Sequence, residues 1–187
     1  KALQAHKADI AVANYSVYKE SEDLFYCYIK DEDYYERVYS PAQIIDGLFE
    51  ETNNINIALI SATGKLYKRS LFNDLLFPKE HEGEDGFFNL KAYLMSERTV
   101  YLNKGLYVYR ESPEMPSATW MQDWMMTLVY AMEERLAIVA SHGFPLEKYM
   151  VTYRQMLEAC LKNVEEQGLR DSDAYRSIQE KFQVLSL

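Results

Sequence analysis

The chain has 187 residues, 48% hydrophobic and 14% aromatic, which suits one sizeable core and excludes a disordered or low-complexity segment. Its 29 acidic against 20 basic side chains leave a formal charge of −9, which repels a phosphate backbone and argues against nucleic acid as a partner. That balance also lacks the basic face of a helix bound to anionic lipid; no apolar run reaches transmembrane length, and the first residues show no signal-peptide pattern.

In chain order, Lys1 to Lys7 reads as the last turns of a helix, followed by a strand over Ile10 to Tyr15. A second strand, Leu24 to Ile29, follows the charged turn Lys19 to Asp23, so a hairpin is expected. Ser40-Pro41-Ala42-Gln43 announces a helix with a serine N-cap, proline in the first turn and glutamine three residues on, a capping box. Ile44, Ile45, Leu48 and Phe49 supply its buried stripe. Gly64 to Tyr67 is a short strand or an extended entry to a turn of helix at Arg69 to Leu75, which Pro78 stops. Glu84-Asp85 opens a helix carrying Phe87, Phe88, Leu90 and Leu94. Two short strands, Thr99 to Leu102 and Leu106 to Tyr109, are expected on either side of a turn at Asn103-Lys104-Gly105.

Beyond Ser117 the pattern turns helical, with Met121, Trp124, Met125, Leu128, Met132, Leu136 and Val139 at three- and four-residue spacing. His142-Gly143 closes that helix. The next opens at Pro145 and ends near Gly168, and Ser172 caps a last one running through Phe182. Cys27 and Cys160, without metal-ligand spacing, read as reduced, buried thiols of a cytoplasmic protein. Sixteen tyrosines are many; such amphipathic rings line sugar sites but serve more often at the edge of a core.

The most informative stretch runs from Ala58 to Trp120. Gly64-Lys65-Leu66-Tyr67-Lys68-Arg69-Ser70-Leu71-Phe72 is followed by Phe77-Pro78, then by Gly83-Glu84-Asp85-Gly86-Phe87-Phe88. Leu106-Tyr107-Val108-Tyr109-Arg110 comes next, with Ser117 and Thr119 after it. In order and spacing these segments, with the Ala8-Asp9-Ile10 strand upstream, resemble the second half of bacterial family 2 glycosyltransferases over roughly residues 8 to 120. The resemblance implies an α/β fold: a partial GT-A-like mixed sheet with flanking helices over residues 1–118, then a C-terminal helical segment over 119–187. It also implies an inverting transfer of sugar, of hexosyltransferase type, from a nucleotide-sugar donor to a hydroxyl of a glycan acceptor. The setting is synthesis of cell-surface polysaccharide or glycoconjugate, in the cytoplasm at the inner face of the membrane.

By the same resemblance Asp85 is the catalytic base, and Glu84 orients groups beside it. A carboxylate in the first turn of a helix is held ionised by the dipole and the free N–H groups. Lys65 and Arg69 are candidates for the donor pyrophosphate or an anionic acceptor, whereas Lys68 is expected to pair with Glu84, Asp85 or Asp74 and fix the loop. Arg110 and Ser117 match positions that approach the departing diphosphate, although Pro113 and Pro116 make this loop unusual. The tryptophan and asparagine expected before Lys65 are replaced by Thr63 and Gly64. The family holds Mg²⁺ or Mn²⁺ through an Asp-x-Asp upstream of the Ala8-Asp9-Ile10 strand. Asp31-Glu32-Asp33 lies on the wrong side of that landmark and reads as a solvated turn, and His81 with Glu82 as a solvated loop without a metal. The chain is therefore expected to be the acceptor-side portion of such an enzyme, inactive alone, with C-terminal helices that can dock a partner or form a homo-oligomer. The alternative is a non-catalytic α/β interaction module bearing relic glycosyltransferase sequence.

Overall fold

The computed structural model describes residues 1–26, 29–79, 83–111 and 118–185, the side chains of 118–121 excepted. It divides into two compact units, Lys1–Lys79 with Glu84–Glu114 and Glu80–Gly83 with Met115–Leu187.

The first unit is built on a mixed sheet around β1 (Ile10–Lys19). One edge of β1 carries β5 (Thr99–Glu111) in parallel along its whole length, and β3 (Glu36–Tyr39) pairs antiparallel with the far side of β5. The other edge is shared: β4 (Lys65–Tyr67) pairs antiparallel with Ile10–Val12, and β2 (Leu24–Tyr26) with Val17–Lys19. A parallel pair requires a long crossover. Here it runs through β2 and β3 and then the helices α2 (Pro41–Gly47), α3 (Ile55–Ile60) and α4 (Glu84–Met95), with β4 returning to the sheet between the last two.

Alternation sorts the strand residues between two faces. Ala11, Val100 and Leu102 pack with Ala8 under the short α1 (Ala2–Ala5), which contributes Ala2 and Leu3. Buried Ile44, Ile45, Ile55, Leu59, Phe88 and Tyr93 form the core side of α2, α3 and α4. The expected capping box is present: Ser40 Oγ accepts from the Gln43 N–H, and Gln43 Oε1 accepts from the Ser40 N–H at 2.9 Å. Before α3 the chain makes a sharp turn through Asn53 and Asn54, both left-handed with φ 53° and 56°, a conformation asparagine tolerates better than most residues.

Two strand expectations need correction. β5 is one strand of 13 residues, not two strands joined by a turn at Asn103-Lys104-Gly105. Those residues form an irregular bulge: the register with β1 steps from Ala13↔Leu102 to Asn14↔Gly105 and then to Tyr15↔Tyr107. A side chain at Gly105 would put its Cβ 2.7 Å from Ser16 Oγ, so the close approach of the strands calls for glycine there. Strand β3, which the sequence pattern did not reveal, lies on the sheet edge with three of its four residues exposed.

The second unit consists of α5 (Ala118–Ser141), α6 (Glu147–Glu166) and α7 (Asp173–Val184). Gly143 and Gly168, each at φ +72°, end α5 and α6 in the same way. The Phe144 and Leu169 N–H groups reach back to the carbonyls of Val139 and Val164, the Schellman arrangement. Ser172 caps α7 by accepting from the Tyr175 N–H. Glu133 ties the three helices, accepting from Tyr153 Oη at 2.5 Å and Lys181 Nζ at 2.6 Å. Cys160 is buried and free; Cys27 lies outside the described residues. No helix among the described residues is long and apolar enough to cross a membrane.

Candidate functional site

The site is organised by the end of one short helix and the start of another. An α-helix leaves its last carbonyls without intrahelical partners. At α3 side chains from outside supply the missing donors. Lys65 Nζ donates to the Ala58 carbonyl at 2.6 Å and also to that of Ser61. Tyr93 Oη donates to Leu59 O at 2.7 Å, and Asn89 Nδ2 to Ile60 O at 2.6 Å. Asn89 in turn accepts from Tyr67 Oη at 2.8 Å. Thus β4 and α4 are both fastened to the end of α3.

Packing fixes the entry to α4. Phe72 and Phe88 stack with ring centroids 5.8 Å apart, Phe77 stacks on Phe88 at 3.7 Å, and Tyr67 meets Phe88 edge-on at 5.5 Å. Offset and edge-to-face geometries are the favoured arrangements of aromatic rings. This cluster sets the direction of the first turn, where Glu84 and Asp85 stand.

Asp85 lies within electrostatic reach of two β4 side chains, Lys65 and Tyr67. Burial holds the Lys65 amine down to about 7, against the pull of the Asp85 charge in the opposite sense. Burial, and then Asp85, raise Tyr67 well above its ordinary value, so its hydroxyl remains a donor. Among the described residues the Asp85 carboxylate has neither a hydrogen bond nor an ion pair. An ionised carboxylate at this place could accept a proton.

The other expected residues are dispersed. Lys65, Lys68 and Arg69 do not make one basic cluster. Lys65 is turned onto the end of α3, whereas Lys68 pairs with Asp9 at 3.0 Å and not with Glu84, Asp85 or Asp74. The Asp9 carboxyl is raised by burial, but the Glu97 N–H and Lys68 outweigh this and bring it below its ordinary value. Arg69 is exposed at the start of the turn of 3₁₀-helix Arg69–Asn73. Arg110, at the far end of β5, is paired with Glu20 at 2.5 Å across the sheet. Ser117, His81 and Glu82 lie outside the described residues. Asp31-Glu32-Asp33 forms an exposed turn of 3₁₀-helix, and among the described residues no group of three His, Cys, Asp or Glu side chains can hold a metal ion. The donor set for a divalent cation is therefore not assembled by these residues.

Sequence reasoning did not anticipate the ties from Asn89 and Tyr93 to α3. On the enzyme reading a concave, Tyr-lined site with Asp85 at its floor is expected, and a groove of about 400 Å³ in which Tyr15, Tyr107 and Tyr109 take part is present. Asp85 is not in the lining of that groove. The signal for it was present only as alternation, Tyr107-Val108-Tyr109, on one strand.

No protein-family model matches the chain. Over 186 residues it is 45% identical to a protein named glycosyltransferase GlyA of Streptococcus pneumoniae, covering 100% of this chain and 27% of that protein. It is 24% identical over 177 residues to glycosyltransferase GlyG of the same organism, spanning 59% of its length. A stretch of 51 residues is 47% identical to an uncharacterized glycosyltransferase, EpsJ, of Bacillus subtilis. From end to end, then, this chain is similar to a part of bacterial proteins named as glycosyltransferases.

Proposed function

We propose that the chain is the acceptor-side, base-bearing part of an inverting glycosyltransferase of the GT-A type. The observation that carries this reading is Asp85: a carboxylate in the first turn of α4, free of any ion pair among the described residues. It stands in a chain similar throughout its length to proteins named glycosyltransferase. Were it a relic serving only to hold the structure together, Asp85 would be tied to Lys65 or Arg69. Instead, the Lys65 amine is bonded to two backbone carbonyls.

In the proposed reaction the acceptor hydroxyl oxygen attacks the anomeric carbon of a nucleotide sugar from the face opposite the diphosphate. The new C–O bond forms as the bond to the diphosphate breaks, and the nucleoside diphosphate leaves with the electron pair. Asp85 takes the hydroxyl proton. Any carboxylate is a weak base beside an alcohol, so the proton moves late, once the attacking oxygen has become acidic. Lys65 holds the end of α3. Glu84, Arg69, Arg110 and Ser117 remain candidates for orienting donor and acceptor. A Mg²⁺ or Mn²⁺ ion would neutralise the donor diphosphate, held by an Asp-x-Asp in the full-length protein and not by the residues described above. Cell-surface glycan synthesis at the cytoplasmic face of the membrane is the proposed setting.

The test is nucleotide release by the full-length protein from a panel of UDP-sugars with Mn²⁺, comparing wild type with Asp85→Asn. A fall of about two or more powers of ten, the range for loss of a general base, is expected. Unchanged turnover in the variant would remove Asp85 from the mechanism. Absence of both turnover and nucleotide binding in the wild type would favour an interaction module.

A further inference from the structure

The groove on the sheet has a composition suited to a particular ligand chemistry. Its rings are Tyr15 of β1 with Tyr107 and Tyr109 of β5, and Ser61, Thr63 and Glu111 supply its polar groups. Val17 and Ile57 add apolar surface, so a ligand would meet mainly carbon. Tyr109 is 58% exposed, leaving an aromatic face open to solvent. Ser61 and Thr63 share a hydrogen bond of 2.8 Å between their hydroxyls.

A pyranose ring matches this set. Its axial C–H bonds form an apolar, slightly positive face that packs on the negative face of an aromatic ring, while its hydroxyls seek carboxylates and hydroxyls at the rim. A nucleoside diphosphate does not match. Among the described residues no lysine or arginine lines the groove, and Glu111 opposes an incoming phosphate. The groove is also connected to the candidate base: Ser61, one of its walls, has its carbonyl held by Lys65, whose ammonium feels the Asp85 charge.

We propose that this groove is a carbohydrate subsite that holds a neutral pyranose ring of the glycan acceptor against Tyr107 and Tyr109. It rests on the reading of the chain as part of a glycosyltransferase. Thr63 and Gly64 shape the entrance: Gly64 is at φ +65°, and a Cβ there would come within 3.3 Å of Tyr107 Cβ.

Saturation-transfer NMR on the full-length protein tests this with methyl β-glucopyranoside, methyl β-galactopyranoside and methyl β-N-acetylglucosaminide as probes. Saturation of the axial ring protons of at least one probe is expected. It should fall about tenfold in Tyr109→Ala, the order expected for losing one aromatic contact. It should be unchanged in Tyr130→Ala, which removes an exposed ring from the second unit. Absence of transfer from all three probes, or equal transfer to wild type and Tyr109→Ala, would overturn the subsite, as would displacement of the probe by UDP. Because Tyr109 is exposed, its alanine variant is expected to fold, and an unchanged circular dichroism spectrum verifies this. The two readings fail separately. Turnover that depends on Asp85 without probe binding sinks the groove alone. Probe binding without turnover sinks the transferase and leaves a glycan-binding surface.

Discussion

Strands β1 and β5 lie side by side from end to end, yet their two halves are different materials. Before the bulge, Ile10, Val12, Val100 and Tyr101 are fully buried. Beyond it, Leu106, Val108 and Tyr109 are exposed by 62%, 47% and 58%. The joint is polar. The Asn14 amide, wholly buried, lies 2.7 Å from Asn53 O, 2.8 Å from Tyr101 Oη and 3.0 Å from Asn103 Oδ1. Asn103 in turn donates to Asp33 O at 2.8 Å. One strand pair can thus anchor the core with one half and present rings to a ligand with the other, provided that something pins the change of register. Here that is a network in which the two N–H groups of one amide are shared among three acceptors, and a buried polar network of this kind specifies one arrangement.

This contrast can be broken at its ends and at its joint. The largest effect is expected at the buried end: Ile10→Ala should cost about 2–5 kcal/mol in denaturant unfolding, the usual range for emptying a filled core position. Val17→Ala beyond the bulge, at a half-buried position, should cost less than about 1 kcal/mol. Equal costs would show that the two halves are not distinct. At the joint, Asn14→Ala should cost about 1–3 kcal/mol because it removes the buried amide that donates to the Asn53 carbonyl and leaves Asn103 Oδ1 with Tyr101 Oη as its remaining donor. It should also loosen the register, visible as faster amide exchange at Asn103, whose N–H donates to Tyr35 O.

A last test concerns pH and the border where β4 meets α3. The Lys65 amine is lowered by burial from 10.5 to about 7 in the folded chain. Between those values the unfolded chain binds more protons, so stability should rise with pH from about 7 towards 10. The slope from this group is at most about 1.4 kcal/mol per pH unit. Chemical unfolding of wild type and Lys65→Met across that interval checks the sign, and the variant should lack the rise.

What the sequence disclosed was mostly local. Ser40 and Ser172 declared their helices because an N-cap needs only a side chain and an N–H three residues away. Glu84-Asp85 placed the start of α4 for the same kind of reason, and with it the candidate base. What stayed hidden depended on partners distant in sequence. Asn103-Lys104-Gly105 has the composition of a turn and becomes a bulge only because β1 lies alongside it. Strand β3, Glu36-Arg37-Val38-Tyr39, has no alternation to mark it, and it exists because β5 offers a free edge. Lys65 read as a candidate for the donor pyrophosphate or an anionic acceptor. Its commitment to the end of α3 depends on a helix of six residues that has no pronounced sequence pattern of its own.

That helix has a consequence for how the first unit assembles. A helix of α3's length does not persist in water on its own, since the first turn costs more than a few hydrogen bonds return. The groups that complete it arrive later in the chain, from Lys65, Asn89 and Tyr93, the last of them 34 residues beyond Leu59. α3 therefore becomes stable only when β4 and α4 have docked, as a late event in folding. The wall of the groove at Ser61 and the approach to Asp85 come into being in that same step, so a chain that has not finished folding presents neither.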